Sequence, residues 1–299
     1  MKKRIVAEGL INLEQIKKLV IMAMFSDDEL MDRLVLKGGH ALDLLCKTNL
    51  RASVDVDFSM ESDFPEKERE DFLIRIKKAL EKTFLERGYT AFDFKIELRP
   101  PKITPEMETF WGGYRIEFKL IEKDKYAELI TNVRELRTHA LPMGQGKKFL
   151  IDISKHEYTA PKSNMDLEGL RIFVYTPEMM VCEKLRAICQ QIPEYGPIVR
   201  RSRSSTPRPR DFLDIYTFCT ECGVDFMQEK NKILLARIFE TKKVPLKFLG
   251  LINKYREFHR LGFPSVIATV KVGMEVKEFD FYFDFTLSLV EQLKSFWNE

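Results

Sequence analysis

The stretch Ser53-Val54-Asp55-Val56-Asp57-Phe58-Ser59 alternates polar and apolar residues at every step. Period 2 marks a strand with one buried face, so Val54, Val56 and Phe58 should enter a core while Ser53, Asp55 and Asp57 share the other face. Carboxylates at i and i+2 on a strand have Cα atoms about 7 Å apart. Side by side they repel, and either a dication or a group of basic residues offsets the repulsion. On an open sheet face such a pair can also be merely solvated, so the Asp-x-Asp alone leaves both readings standing.

Working outward toward the N-terminus, Asn12 and Gln15 have the spacing of a capping box, and Ile16, Leu19, Val20, Ala23 and Met24 come next on one helical face. A helix is expected over 12–25. A second, over about Asp27 to Val35, runs into Lys37-Gly38-Gly39, and Ala41, Leu42, Leu44 and Leu45 suggest another short helix. The glycine pair is then expected to be a turn between two helices.

Toward the C-terminus, Glu66 to Arg87 has helical spacing and Gly88 stops it. Two alternating strands come after it. In the first, Phe92, Phe94, Ile96 and Leu98 oppose Asp93, Lys95 and Glu97; in the second, Tyr114, Ile116, Phe118 and Leu120 oppose Arg115, Glu117 and Lys119. Residues 148–153 make a further strand, in which Asp152 faces away from Phe149, Ile151 and Ile153. Three acids on neighbouring strands, Asp55, Asp57 and Asp152, could hold two magnesium ions about 4 Å apart, suited to gripping a triphosphate. Asp152 also fits a plain strand-end turn residue.

Beyond about residue 165 the alternation ceases apart from Arg171 to Tyr175, and helical patterns take over. Two domains are expected, 1–170 and 171–299. Thr176-Pro177-Glu178 opens the next helix with a capping residue, a proline at the first position and an acid in the first turn. Lys184 lies two turns inside. From Val199 to Arg210 the chain has five arginines, several serines and no acid, which suggests an exposed loop. Arg200, Arg201 and Arg203 there suit phosphate contact with a nucleic acid, although a solvated linker has the same composition. A helix is expected from Asp211 to Cys222, stopped by Gly223. Residues 266–281 fit strand or helix, and Phe283 to Trp297 fits a helix.

The chain of 299 residues is 44% apolar and 32% charged, with a net charge of only +3. That composition describes a globular protein, and any basic surface must be local. Met1-Lys2-Lys3-Arg4 resembles the start of a signal peptide, but Glu8, Glu14, Lys17 and Lys18 interrupt the apolar stretches after it, so a cytoplasmic location without membrane contact is expected. An odd cysteine number, five, suggests reduced thiols without disulfides. The one C-x-x-C, Cys219 and Cys222, lacks the further ligands of a zinc site.

Four motifs in order, Lys37-Gly38-Gly39-His40-Ala41-Leu42, Arg51-Ala52-Ser53-Val54-Asp55-Val56-Asp57, Glu183-Lys184-Leu185 and Arg210-Asp211-Phe212-Leu213-Asp214, resemble those of the AbiEii-type nucleotidyltransferase toxins of the polymerase-β-like superfamily. The resemblance spans about residues 34 to 216. It implies an α+β fold, a polymerase-β-like nucleotidyltransferase core with a mixed sheet followed by a helical bundle domain. It further implies Mg2+ on Asp55, Asp57 and Asp152, and a nucleoside triphosphate held by Gly38, Gly39, His40, Ser53 and Lys184. Lys37, Arg51, Arg210, Asp211 and Asp214 would support that site. His40 stands where the family carries a hydroxyl residue and offers an imidazole donor instead. Taken alone, Lys184 could be an ordinary surface lysine and Asp211 a helix cap.

The function expected is transfer of a nucleotide from an NTP to RNA, such as tRNA, or to a protein, by the toxin of a toxin–antitoxin or abortive-infection pair with an antitoxin partner. The alternatives are a non-catalytic nucleotide- or RNA-binding protein on the same fold and an interaction protein built on the C-terminal helices.

Overall fold

The computed structural model of the chain describes residues 11–46, 55–143, 146–200, 205–270 and 275–297, without the side chains of His40, Leu42, Asp43 and Cys46. Its strands are β1 (Val35–Lys37), β2 (Val56–Ser59), β3 (Tyr89–Arg99), β4 (Gly113–Glu122), β5 (Phe149–Ser154), β6 (Ser163–Leu167) and β7 (Leu170–Val174). They form one sheet of seven, in the order β3-β4-β5-β2-β1-β7-β6. β2 runs parallel to β5 and β1 to β7, and the other pairs are antiparallel, so the sheet is mixed.

Helix α1 (Leu13–Phe25) starts at Asn12, whose side chain accepts from the Gln15 N–H at 2.9 Å while the Gln15 side chain accepts from the Asn12 N–H at 3.0 Å. The capping box expected from sequence is present. After α2 (Asp28–Arg33) comes β1, and α3 (Gly38–Cys46) follows it directly. The glycine pair therefore links a strand to a helix rather than two helices. Three consecutive buried residues, Val35, Leu36 and Lys37, form a central strand, and so short an apolar run has no period by which to tell strand from helix.

Helix α4 (Arg69–Leu85) packs with α1 on one face of the sheet. That face is apolar. Val56 and Phe58 of β2, Phe149, Ile151 and Ile153 of β5 and Ile116 and Phe118 of β4 are all buried. Phe25 of α1 meets Phe58 at 6.0 Å between ring centroids, and Phe84 of α4 meets Phe118 at 5.7 Å. The regular alternation expected for β3 is broken at Asp93, which has φ 56 and sits where the β3–β4 register shifts. This bulge turns Phe92 and Phe94 to opposite sides. Phe94 stacks on Phe118, whereas Phe92 joins Ile121, Leu136 and Ala140 in a small separate core. That core lies under α6 (Lys123–Leu129) and α7 (Val133–His139); the one-turn α5 (Pro105–Glu108) lies earlier, between β3 and β4.

One strand was expected near residue 171, and the structure has a hairpin. Glu168 (φ 54) and Gly169 (φ 82) form its two-residue turn, both left-handed as such a turn requires. After Val174 the described residues hold helices and isolated turns: α8 (Pro177–Cys189), α9 (Pro209–Glu221), α10 (Glu229–Thr241), a 3₁₀ stretch Leu246–Tyr255, α11 (Arg256–Arg260), α12 (Phe263–Ile267), α13 (Phe279–Gln292) and α14 (Lys294–Trp297). Thr176 caps α8 by accepting from the Met179 N–H at 3.3 Å. The ambiguous 266–281 segment ends α12 and begins α13, and residues 271–274 lie outside those described.

Cys182, Cys189 and Cys219 are free thiols, but Cys222 is disulfide-bonded, against the expectation of a fully reduced chain. A compartment rule speaks for the average thiol; whether two sulfurs meet depends on which distant segments pack together.

Candidate active site

Residues directly opposite on paired strands point to the same face of a sheet. The register sets Arg115 opposite Asp152, Asp152 opposite Asp57, and Asp57 opposite Lys37, giving a charged row across β4, β5, β2 and β1. It lies on the face away from α1 and α4, because its members alternate along each strand with the buried apolar residues. Asp55 stands two residues before Asp57 and on the same side. The structure thus brings the three acids named from sequence onto one surface.

Gly38 explains part of the site's shape. Its φ is +75, and a Cβ added there would lie 2.4 Å from Oδ2 of Asp57. Only glycine lets the turn from β1 into α3 close so tightly on that carboxylate. Gly39 comes next in the first turn of α3, whose backbone N–H groups are the natural partners of an anion.

Burial raises the Asp57 carboxyl to about 6, with Asp152, Glu183 and Asp55 adding repulsion and Lys37 opposing. Asp55 is raised by burial and by Asp152, against the charges of Arg115 and Arg210. Asp152 is gripped by Arg115 in a two-pronged pair, Nε to Oδ1 at 2.8 Å and Nη2 to Oδ2 at 2.6 Å.

Helices α8 and α9 supply the second half. The Lys184 ammonium donates to Asp214 at 2.5 Å and lies 3.4 Å from Asp211, both aspartates being buried. Burial works against the charge of Asp211, but Arg208 and Lys184 outweigh it and hold its carboxyl below the ordinary range. Arg208 pairs with Asp211, and its backbone N–H donates to His259 Nδ1 at 3.0 Å. Arg210 is exposed, and its charge bears on Asp55.

A buried ionic chain joins the sheet to the helices. Lys37 donates to Glu183 at 2.5 Å; Arg186 lies 3.3 Å from Glu183 and donates to Glu157 at 2.7 Å; Lys242 stands 3.3 Å from Glu157. Burial opposes the Lys37 charge, yet Glu183 and Glu157 prevail and raise its pKa. Burial lowers Lys242 to about 8 despite Glu157.

Sequence reasoning gave no role to Arg115, Arg186, Glu157, Lys242 and His259, and it included Glu183 and Arg208 only as part of a motif and of the arginine loop. For Arg115 a signal existed, since alternation already placed it on the polar face of its strand. The others become visible only when segments far apart in the chain meet. Of the arginine loop, Arg200 is exposed and 3.6 Å from Glu106. Arg201 and Arg203, with Arg51 and Ser53, lie outside the described residues, and so does the side chain of His40.

The donor set suits a hard divalent cation: three carboxylates on one surface, two of them raised by burial and mutual repulsion. Among the described residues no three His, Cys, Asp or Glu side chains converge on one point as ligands. The acids share a surface, then, without closing on a common centre. No helix among the described residues is long and apolar enough to cross a membrane.

Among solved structures, JHP933 from Helicobacter pylori is similar at 18% identity over 95% of this chain and 93% of that one, with a TM-score of 0.46. A second H. pylori structure, described as a candidate nucleotidyltransferase, is similar at 18% identity over 97% of this chain and 98% of that one, TM-score 0.47. An antigenic nucleotidyltransferase-like protein from Paracoccidioides brasiliensis is similar at 16% identity over 77% of this chain and 89% of that one, TM-score 0.35. No functionally curated protein matches. The family described as "Nucleotidyl transferase AbiEii toxin, Type IV TA system" matches residues 20–265, most of the chain. With a mixed sheet, the glycine turn closed on Asp57 and helices to follow, this α+β protein belongs to the AbiEii nucleotidyltransferase toxin family.

Proposed function

We propose that the chain transfers a nucleotidyl group from a nucleoside triphosphate to an acceptor hydroxyl on RNA, such as a tRNA end, with Asp55, Asp57 and Asp152 as the ligands of Mg2+. The observation that carries this reading is the register placing Asp57 opposite Asp152, with Gly38 closed against Asp57. The acceptor oxygen attacks the α-phosphorus as its proton passes to solvent, the bond from that phosphorus to the α–β bridging oxygen breaks, and pyrophosphate leaves with the electron pair. Magnesium bound there would acidify the acceptor hydroxyl and neutralise charge on the pyrophosphate.

The chain's own groups orient the triphosphate. The N–H groups of Gly38 and Gly39 at the start of α3 face anionic oxygen, and Lys184 can exchange a contact with Asp214 for a phosphate. Asp211 and Asp214 hold that lysine in place, Lys37 screens Asp57, and Arg210 borders Asp55. Arg200, Arg201 and Arg203 would track the acceptor's backbone. A nucleotidyltransferase unit over 1–170 and a mainly helical unit over 171–299 would then divide the work, and an antitoxin would restrain the toxin.

The test is incubation with each α-labelled nucleoside triphosphate, Mg2+ and total RNA, beside an Asp55→Ala, Asp57→Ala variant. Label entering RNA is expected with the intact acids, and at least about a thousandfold less with the variant. Label in protein instead would overturn the RNA acceptor, and no label in either would overturn the transfer.

A further inference from the structure

We propose that Arg115 occupies the third carboxylate in the resting protein, gives it up to an entering divalent cation, and then binds a phosphate of the nucleotide. This rests on the reading of Asp55, Asp57 and Asp152 as metal ligands. Both oxygens of Asp152 are engaged by the Arg115 guanidinium, at 2.8 and 2.6 Å. A positive charge therefore sits on the ligand that a metal would need, and the three acids do not converge. The two cations flanking the acid pair differ in kind. Lys37 is buried, with 10% of its side chain exposed, and is locked to Glu183. Arg115 and Asp152 keep 31% and 28% of their side chains exposed, so an entering cation can reach the pair; the two-pronged bond is strong, and a doubly charged ion is what can displace it.

The charge of Arg115 is also felt by Asp55, on the same face of the sheet. Displaced from Asp152, its planar fork would face the space beside Asp55, where it matches a phosphate in two-pronged geometry. If Arg115 merely oriented Asp152, its removal would weaken metal binding; if it competes for Asp152, removal strengthens it. The two roles predict opposite signs.

The experiment measures Mn2+ binding to the full-length protein, from the EPR signal of the free ion, for the wild type, Arg115→Ala, Arg115→Gln and the Asp55→Ala, Asp57→Ala control. ATP affinity in Ca2+ is measured in parallel, with thermal melting to check folding. Both Arg115 variants should bind Mn2+ about three- to tenfold more tightly and ATP about three- to tenfold more weakly. Mn2+ affinity unchanged or reduced in the folded variants overturns the competition, and unchanged ATP affinity overturns the phosphate contact. Should the wild type show no Mn2+ binding that the acid control abolishes, the metal-ligand reading itself falls.

Discussion

Asp57 is a carboxyl whose folded state favours the proton. Its pKa stands near 6 rather than the ordinary 3.8, so protonation stabilises the metal-free fold fully below about pH 4 and that contribution is lost as pH rises through 6. Asp57→Asn should therefore raise the stability of the metal-free protein by about 3 kcal/mol at pH 7.5, with little gain near pH 4. Denaturant melts at the two pH values would show it, and an equal effect at both would exclude a titrating Asp57. Mn2+ binding should weaken correspondingly below pH 6, where proton and metal compete. Gly38→Ala makes the steric counterpart: a methyl group 2.4 Å from the Asp57 carboxylate and a non-glycine residue at φ +75 should cost about 1–3 kcal/mol and most of the Mn2+ affinity. Wild-type Mn2+ affinity in that variant would show that the turn does not shape the site.

At the scale of elements, the α8–α9 pair is bound by one lysine between two buried aspartates. Lys184→Met removes the cation shared by the two buried aspartates and leaves Arg208 as the partner of Asp211, which should destabilise the protein by about 3 kcal/mol. Adding Asp214→Asn should restore part of that stability but not nucleotide affinity, because the phosphate-seeking charge is still missing. Recovery of both would confine Lys184 to a structural role. Elements with strong local signals were legible in the sequence: the Asn12–Gln15 box opens α1, Thr176 opens α8, and Gly223 follows α9 with φ +65. β1 was not, since three buried residues carry no periodicity, and the β3 bulge was not, since Asp93 takes a left-handed φ where alternation alone foresees a regular strand. Its carboxylate pairs with Lys119 and Arg137 there, a tertiary reward that no local pattern encodes.

Across the whole molecule, Glu157 holds the sheet and the C-terminal helices to one another. It is buried between Arg186 of α8 and Lys242 at the end of α10. Glu157→Gln strips Lys242 of its counter-charge and leaves Arg186 only the longer pair with Glu183, and should cost about 3–5 kcal/mol. For a protein of this size the melting temperature should fall by about 10 °C. A shift within about 2 °C would mean that water already screens the cluster.

By itself the sequence determined the residue types of the site and the faces they take. Strict alternation put Asp55 and Asp57 together on one side of β2, and Asp152 and Arg115 on the polar sides of β5 and β4. Those are local consequences of a two-residue period, and any short stretch carries them. Only the tertiary structure decided that β5 lies parallel beside β2 in the register that sets Asp152 against Asp57, that Gly38 closes on that carboxylate, and that Arg115 grips the third acid. Strand order and register arise from the packing of one shared apolar face against α1 and α4, a sum over residues from the whole chain that no single stretch contains.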